Sequence, residues 1–356
     1  MTGIQASVSR YEDWLRTRIG ADFVEADLQA KHRKMRGDAF AFLRATYWRW
    51  AETILGLCPG LADAAPVLAI GDIHLENFGT WRDDEGRLVW GVNDFDEAAV
   101  MPWPLDLVRL AASALLARGK EGPAAQEICA PILEGFEAGL ASPAPIILER
   151  EWKWLRQAVL LPESERAAFW AKFDALRPSP PPPAHEKALL EALPPGHATP
   201  IFAPRTAGTG SLGRPRFVAR AEWRGGPVLR ESKALVPSGW CLAQAPADST
   251  IRADAVATGR FRAPDPHYRL MEGSIITRRL SPNSRKIEVR NAAAELLSPE
   301  MLRAMGQEIA NCQAGDAARW PGVREDLRTR PKGWLHQAAK AAAQAVEREQ
   351  KEFAGT

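Results

Sequence analysis

Two stretches, GDIHLENFG at residues 71–79 and GVNDFDEAA at residues 91–99, decide how this chain is read. The first sets Asp72, His74 and Asn77 directly after the apolar run PVLAI (66–70). The second sets Asp94 and Asp96 on either side of Phe95, where the run RLVWGVND (87–94) ends. Short apolar runs bounded by glycine and polar residues predict buried strands, here a small hairpin, with both polar clusters on loops at strand ends. An Asp so placed can accept or orient a hydroxyl proton, and an Asn carbonyl can ligate Mg²⁺. Magnesium needs only one or two protein carboxylates, because phosphates and water fill its other positions. Asp72 is therefore the candidate base, and Asn77, Asp94 and Asp96 are the candidate metal ligands. Asp and Asn also form plain turns, but here several positions fit at once. His74 suits a loop-orienting role as well as a catalytic one. Asp106 reads as the N-terminal cap of the helix LDLVRLAASALLAR (105–118).

The bulk composition narrows the field. A length of 356 residues suits two lobes, and 46% hydrophobic with 25% charged residues excludes wholesale disorder. A net charge of +2 gives no case for nucleic acid or an acidic membrane surface. Cys58, Cys129, Cys241 and Cys312 are far apart and form no CxxC pair, which argues against a disulfide framework or zinc knuckle. The opening MTGIQASVSRYEDWLRTRIG lacks the apolar region of a signal peptide, and no run of roughly eighteen apolar residues could span a bilayer. A cytoplasmic protein without a membrane partner is expected.

Along the chain, residues 9–57 predict helices, with Phe40, Phe42, Leu43, Tyr47, Trp48 and Ile54 at helical spacing, and helix continues from Leu105 to about Leu176. The tryptophans of YWRW (47–50) and EWKWLRQ (151–157) read as core at this spacing. PSPPPP (178–183) predicts an extended spacer. Beyond it RFVARAEWR (216–224), GPVLRESKAL (226–235), EGSIITRRL (272–280) and KIEVR (286–290) predict strands, and helices return from Ser298. The turn GTGSLG (208–213) is followed by Arg214, Pro215 and a strand pattern, so a helix-opening dinucleotide fingerprint does not fit. A strand–loop–strand whose backbone N–H groups cover phosphates fits better, with Gly208, Gly210, Ser211 and Gly213 in the loop. Lys233 on the next strand is then placed to meet phosphates.

The segment GDIHLENFG…GVNDFDEAAVMPWPLDLVRLA resembles the catalytic and metal loops of the aminoglycoside phosphotransferase and choline kinase branch of the protein kinase-like fold. The resemblance puts Asp72 on the catalytic Asp, Asn77 and Asp94 on the metal-binding residues, and His74 on the histidine that this branch carries two residues after the Asp. More broadly, AFAFLRA (39–45), GDIHLENFG, VNDFDEA, GTGSLG with Lys233, and IITRRL (275–280) resemble the bacterial domain of unknown function 2252 family, over about residues 33–315.

The resemblance implies an α+β, bilobal protein kinase-like fold, with a departure in chain order. An ordinary kinase runs from Gly-rich loop and lysine to catalytic and metal loops, and here the order is reversed, which implies circular permutation. Residues 1–177 would carry the catalytic part of a helical large lobe and 178–198 a proline-rich linker. Residues 199–290 would form the β-rich small lobe, and 291–356 helices completing the large lobe. The implied activity is ATP- and Mg²⁺-dependent phosphoryl transfer to a hydroxyl-bearing, small-molecule acceptor, with Arg278 near phosphate or held in an ion pair. A kinase lysine normally pairs with a glutamate, yet no Glu lies between Lys233 and Glu272. Asp248, Asp254 or Glu231 would have to substitute. A weak enzyme or nucleotide-holding pseudokinase is the alternative, as is nucleotidyl transfer on the same scaffold. GDIH also resembles the D-x-H element of two-metal phosphoesterases, but that reading fits poorly, since His32, His185, His197, His267 and His336 are isolated and no GNH exists.

Overall fold

The computed structural model describes residues 3–159, 162–315 and 319–355. The chain opens with α1 (Ile4–Ile19), α2 (Glu25–Gly37), α3 (Ala39–Ala45) and α4 (Tyr47–Leu57). Asp38 starts α3 as an N-cap, accepting from the Ala41 amide at 2.7 Å. Four strands follow: β1 (Pro66–Ala69), β2 (Phe78–Arg82), β3 (Leu88–Val92) and β4 (Ala99–Pro102). The two expected strands do form, but they do not pair with each other. β1 pairs antiparallel with β4, and β3 with β2. The consequence is that the 71–77 and 93–98 loops both cross between the two sheets at the ends marked by the Ala69–Ala99 and Phe78–Val92 pairs.

Next come α5 (Pro104–Ala117), α6 (Ala125–Ala141), the short β5 (Ile146–Ile147) against β3, α7 (Lys153–Ala158) and α8 (Glu163–Asp174). The proline-rich segment 178–198 is not a bare spacer. Pro183 takes the first turn of α9 (Pro183–Ala192), where its missing N–H costs nothing. Leu189 and Leu193 then bury against Ala219 and Ala221 of the sheet beyond.

That sheet contains β6 (Ile201–Pro204), β7 (Arg216–Trp223), β8 (Gly226–Ala234), β9 (Arg269–Met271) and β10 (Ile275–Arg279), all antiparallel, in the order β6-β7-β8-β10-β9. Its two faces differ: α8 packs Phe173 against Ala203, Val218 and Leu229 on one, and α9 covers the other. Between β8 and β9 the chain forms only the short helices α10 (Gly239–Gln244) and α11 (Ala253–Ala257). KIEVR is not a strand. Lys286 makes a single bridge to Gly79, and α12 begins at Val289 and ends at Leu296. Beyond that bridge, the polar residues that alternate there have no partner strand among the described residues to hold them extended.

α13 (Pro299–Gln313), α14 (Trp320–Thr329) and α15 (Trp334–Ala354) close the chain. α13 crosses α6 at backbone distance: a methyl group on Gly135 would meet the Arg303 carbonyl, and one on Gly306 the Ile132 carbonyl. Glycine at these crossings is therefore a packing requirement. α15 and α5 complete the main core, where Trp103 stacks on Phe136 and edges onto Trp334. Of the two tryptophan-rich stretches, YWRW turns inward, with Trp48 and Trp50 buried, whereas Trp154 is exposed. Among the described residues no helix is long and apolar enough to cross a membrane.

Candidate functional site

Gly71 makes the first loop possible. Its φ of +86° is one that side chains avoid, and a Cβ there would lie 2.1 Å from the Glu97 carbonyl oxygen. Asp106 sits inside the first turn of α5 and does not cap it. Its carboxylate accepts from the Ile70 and Gly71 amides at 3.0 Å each and from Gln313 Nε2 at 2.9 Å. It thus clamps the end of β1 to α5 and α13. Burial pushes this carboxyl up to about 6, against the pull of those hydrogen bonds.

Asp72 then enters a cleft. Arg109 Nε donates to its Oδ1 at 2.9 Å and Nη2 donates to the same oxygen at 2.5 Å. Burial raises the Asp72 carboxyl while Arg109 draws it down, and the balance is upward. His74 is buried and serves the loop itself, its Nδ1 accepting from the Glu76 amide at 3.1 Å. Burial, then Arg44 and Arg109, hold its imidazole well below the usual range, so the ring is neutral at ordinary pH. That is a loop-positioning role more than an acid–base one. Asn77 donates through Nδ2 to the Asp72 carbonyl, which leaves its side-chain oxygen for another partner. Glu76 binds Arg44 at 2.7 Å and accepts from the Val289 amide at 2.9 Å, tying the loop to α12.

The second loop is braced from behind by Glu308 of α13, which accepts from the Val92 amide, and by Arg262, which donates to the Val92 carbonyl. Asp94 lies 3.4 Å from Lys233 Nζ, and Asp96 is bonded to the same ammonium. Burial opposes ionisation of Asp94, but Lys233, Lys286 and Arg278 outweigh it and hold its carboxyl well below the carboxylate range. Asp96 is pushed the other way by burial and by the Asp94 charge. Glu97 turns aside, accepting from Arg214 at 2.8 Å and from the Gly239 amide at 2.6 Å.

From the sheet, β8 supplies Lys233 by simple alternation: Leu229, Glu231 and Lys233 share the face toward α8 and the cleft. None of the three carboxylates considered for Lys233 pairs with it. Asp248 binds Arg252, no ion pair joins Asp254 to Lys233 among the described residues, and Glu231 is wholly buried among Arg205, Arg216 and Arg278. Arg278 is therefore in an ion pair, through Nε and Nη2 at 2.7 Å each, while still lining the cleft. Three guanidinium groups around one carboxylate leave a local excess of positive charge.

The 208–213 turn folds over Asp72. A methyl group on Gly210 would come within 3.3 Å of Asp72 Oδ2, and Gly208 and Gly213 adopt φ of +75° and +97°. Ser211 is engaged within the loop, accepting from Arg216 at 2.8 Å. Lys31 pins the loop from α2. Its buried ammonium lies over the rings of Trp48 (4.6 Å) and Tyr11 (5.1 Å) and donates to the Gly210 carbonyl at 3.3 Å. Burial, with Arg214 adding, lowers that amine to about 7.

Two adjoining cavities result. One of about 350 Å³ is lined by Asp72, Asn77, Asp94, Asp96, the glycine turn and Arg278. The other, of about 570 Å³, is walled by Trp81, Phe95, Phe169 and Tyr268 and shares Arg278 and Lys286 with the first. Lys286 projects into this shared space, and burial in the cleft lowers its amine to about 8. The candidate residues Asp72, His74, Asn77, Asp94, Asp96, Gly208, Gly210, Ser211, Lys233 and Arg278 thus converge, whereas Gly213 turns toward Phe23 and Leu15. Arg109, Arg205, Arg216 and Lys286 join them without being legible as candidates in the sequence. Only Arg109 carries a signal there, as the one basic residue within the apolar helix LDLVRLAASALLA.

No match was found among curated proteins or among solved structures. Residues 23–168, which carry both acidic loops and end before the glycine turn and Lys233, match the model of a family described as uncharacterized protein conserved in bacteria (DUF2252).

Proposed function

We propose that the cleft binds ATP with Mg²⁺ and passes the terminal phosphoryl group to a hydroxyl of a small acceptor. One observation carries this reading: Lys233 Nζ lies 3.4 Å from Asp94, although 139 residues separate them in the chain. Protein kinases assemble a glycine-rich loop, a strand lysine, a catalytic-loop Asp and Asn, and a metal-binding Asp around ATP. The same residue types meet here in reversed chain order, which supports a permuted, bilobal kinase-like arrangement.

The donor set suits magnesium. Among the described residues no three His, Cys, Asp or Glu side chains form a self-sufficient metal cage. Asp94, Asp96 and the free oxygen of Asn77 instead offer a partial shell of hard oxygens, the kind that Mg²⁺ completes with phosphates. When bound there, the ion would neutralise charge on the phosphate oxygens. Lys233, Lys286 and Arg278 offer cations to the same phosphates, and the aromatic walls of the larger cavity can take the base. The acceptor oxygen forms its bond to the γ-phosphorus as the bond to the β–γ bridging oxygen breaks. The hydroxyl proton passes to Asp72 Oδ2, the oxygen that Arg109 does not hold. Such catalysis is mainly positioning and electrostatics.

A second reading, nucleotide binding with little turnover, is favoured by one feature: Lys233 rests on Asp94 and Asp96 in place of a glutamate. A thermal-shift titration with ATP, with and without Mg²⁺, on wild type and Asp94→Ala tests both. A Mg²⁺-dependent rise in Tm that Asp94→Ala abolishes supports the nucleotide site by linkage. Release of γ-phosphate in the same samples then separates an enzyme from a holder. No shift with any combination overturns both readings.

A further inference from the structure

Strand alternation sends the even-numbered residues of β8 away from the cleft, toward α9. Ser232 there hydrogen-bonds His185 at 2.9 Å, and the next residue on this face is Arg230. Arg230 is 5% exposed, and no carboxylate lies within ion-pair distance of it among the described residues. Burying a cation without a counter-charge is costly. Burial, with Arg279 adding and the more distant Asp265 opposing in part, lowers its guanidinium to about 10.

Part of its hydrogen bonding is structural. Nε donates to the Ala192 carbonyl at 2.8 Å, closing the C-terminal end of α9, and Nη1 donates to the Leu229 carbonyl at 3.1 Å. Nη2 approaches His267 Nδ1 at 3.4 Å. A guanidinium carries five N–H groups, so one on each terminal nitrogen is still to be placed. Arg230 borders a cleft of about 320 Å³ whose walls are Ala192, Leu193, Pro194 and Pro195, with His267 and the exposed Arg269 beside it. With Nδ1 accepting, the His267 proton sits on Nε2. The carboxylates nearby are engaged elsewhere, Asp265 with Arg279 at 3.7 Å and Glu191, on the rim, with Lys187 at 3.9 Å.

We infer that this cleft, on the opposite face of the sheet from Asp72 and Lys233, is a second binding site, for an anion that carries an apolar body. An alkyl or aryl phosphate or carboxylate has that chemistry. The anion supplies the direct ion-pair partner that Arg230 lacks, Arg269 adds a second cation from the rim, and the leucine and proline walls cover the apolar part. The guanidinium fork suits either oxyanion through paired hydrogen bonds.

Calorimetric titration of the full chain with phenyl phosphate, benzoate and inorganic phosphate tests this. Phenyl phosphate or benzoate should bind, and whichever is tighter identifies the oxyanion, with inorganic phosphate the weakest. Because the cleft at Lys233 is itself cationic, Lys233→Met serves as the reference and should leave the affinity within about twofold. Arg269→Ala, at an exposed position that should not disturb folding, should weaken binding several-fold, and Arg230→Met by roughly tenfold or more. The inference is overturned if no probe binds at about 10 mM. Unchanged affinity in Arg269→Ala and in a folded Arg230→Met, or loss in Lys233→Met alone, overturns it equally.

Discussion

Arg109 holds Asp72 by one oxygen. Both contacting nitrogens of the wholly buried guanidinium meet Oδ1, so Oδ2 is the atom left toward Gly210 and the cleft. The guanidinium is itself fixed, lying over Tyr47 (4.9 Å) and Trp50 (5.2 Å) and donating to the Leu43 carbonyl at 2.8 Å. Asp72 is thereby oriented from α5, the helix whose Asp106 and Ser113 also hold the loop, through the Gly71 and Leu75 amides. Removing one partner of a buried pair strands the other, so Arg109→Met should cost about 3–5 kcal/mol. Arg109→Lys, which keeps the charge but not the fork, should cost less. Urea denaturation of the three proteins reads this directly, and a loss below about 1 kcal/mol in Arg109→Met would show that Asp72 is held by other means.

Glu231 gives the sheet its electrostatic centre. Burial works against its charge, but Arg216, Arg278 and Arg205 outweigh it and hold the carboxyl far below the carboxylate range. Glu231→Gln would leave three guanidinium groups facing one another and should destabilise by several kcal/mol, on the order of 3–5. Arg278→Gln should cost much less, since Glu231 keeps two partners. Equal losses in the two variants would show that the cluster does not turn on the carboxylate. The comparison is made by thermal and urea unfolding at neutral pH.

The acidic loops are legible in the sequence because their chemistry is local: Asp72, Asn77, Asp94 and Asp96 stand within 25 residues on short apolar strands. What joins them to Lys233 and the glycine turn is long-range and leaves only a resemblance to go by. Strand pairing misleads for the same reason. PVLAI and RLVWGVND look like a hairpin because they are consecutive, yet each pairs with a run too short or too polar to stand out, Ala99–Pro102 and Phe78–Arg82. Proline over 178–198 suggests a spacer, whereas Pro183 also fits the first turn of a helix. Arg205, Arg216 and Arg230 stay hidden because an arginine in or beside a strand announces neither its face nor its partner. Those depend on the register of β7 and β8.

Gly71 is the tightest point of the loop, with a left-handed φ and the Glu97 carbonyl where a Cβ would sit. Neither strain can be relieved without parting β1 from the 93–98 loop, which holds Asp94 and Asp96. Gly71→Ala should therefore lose more than about 3 kcal/mol, combining backbone strain with a clash between two buried backbones. Gly86→Ala is the control, since its φ of +74° is comparable but nothing lies within 4 Å of an added Cβ. It should lose only about 1–2 kcal/mol. Matching melting temperatures for the two variants would mean that the close approach to Glu97 imposes no constraint.

His185 couples the sheet to pH. It is buried at the α9 face, with Nδ1 2.9 Å from Ser232 Oγ, and burial lowers its imidazole to about 4 while Asp22 pulls slightly upward. The unfolded chain has an imidazole near 6.5. Between these values the unfolded state takes up a proton that the folded state refuses. The stabilisation is therefore complete above pH 6.5 and is lost progressively as pH falls toward 4, by up to about 3 kcal/mol for a shift of this size. His267, also lowered to about 4, tilts stability the same way, so the wild-type slope alone does not identify His185. His185→Asn removes the titrating ring while keeping a group that can meet Ser232. Its unfolding free energy should fall less steeply than wild type's between pH 6.5 and 4, with the curves converging at the acid end. Parallel curves across that window would show that His185 is protonated equally in the folded and unfolded chains.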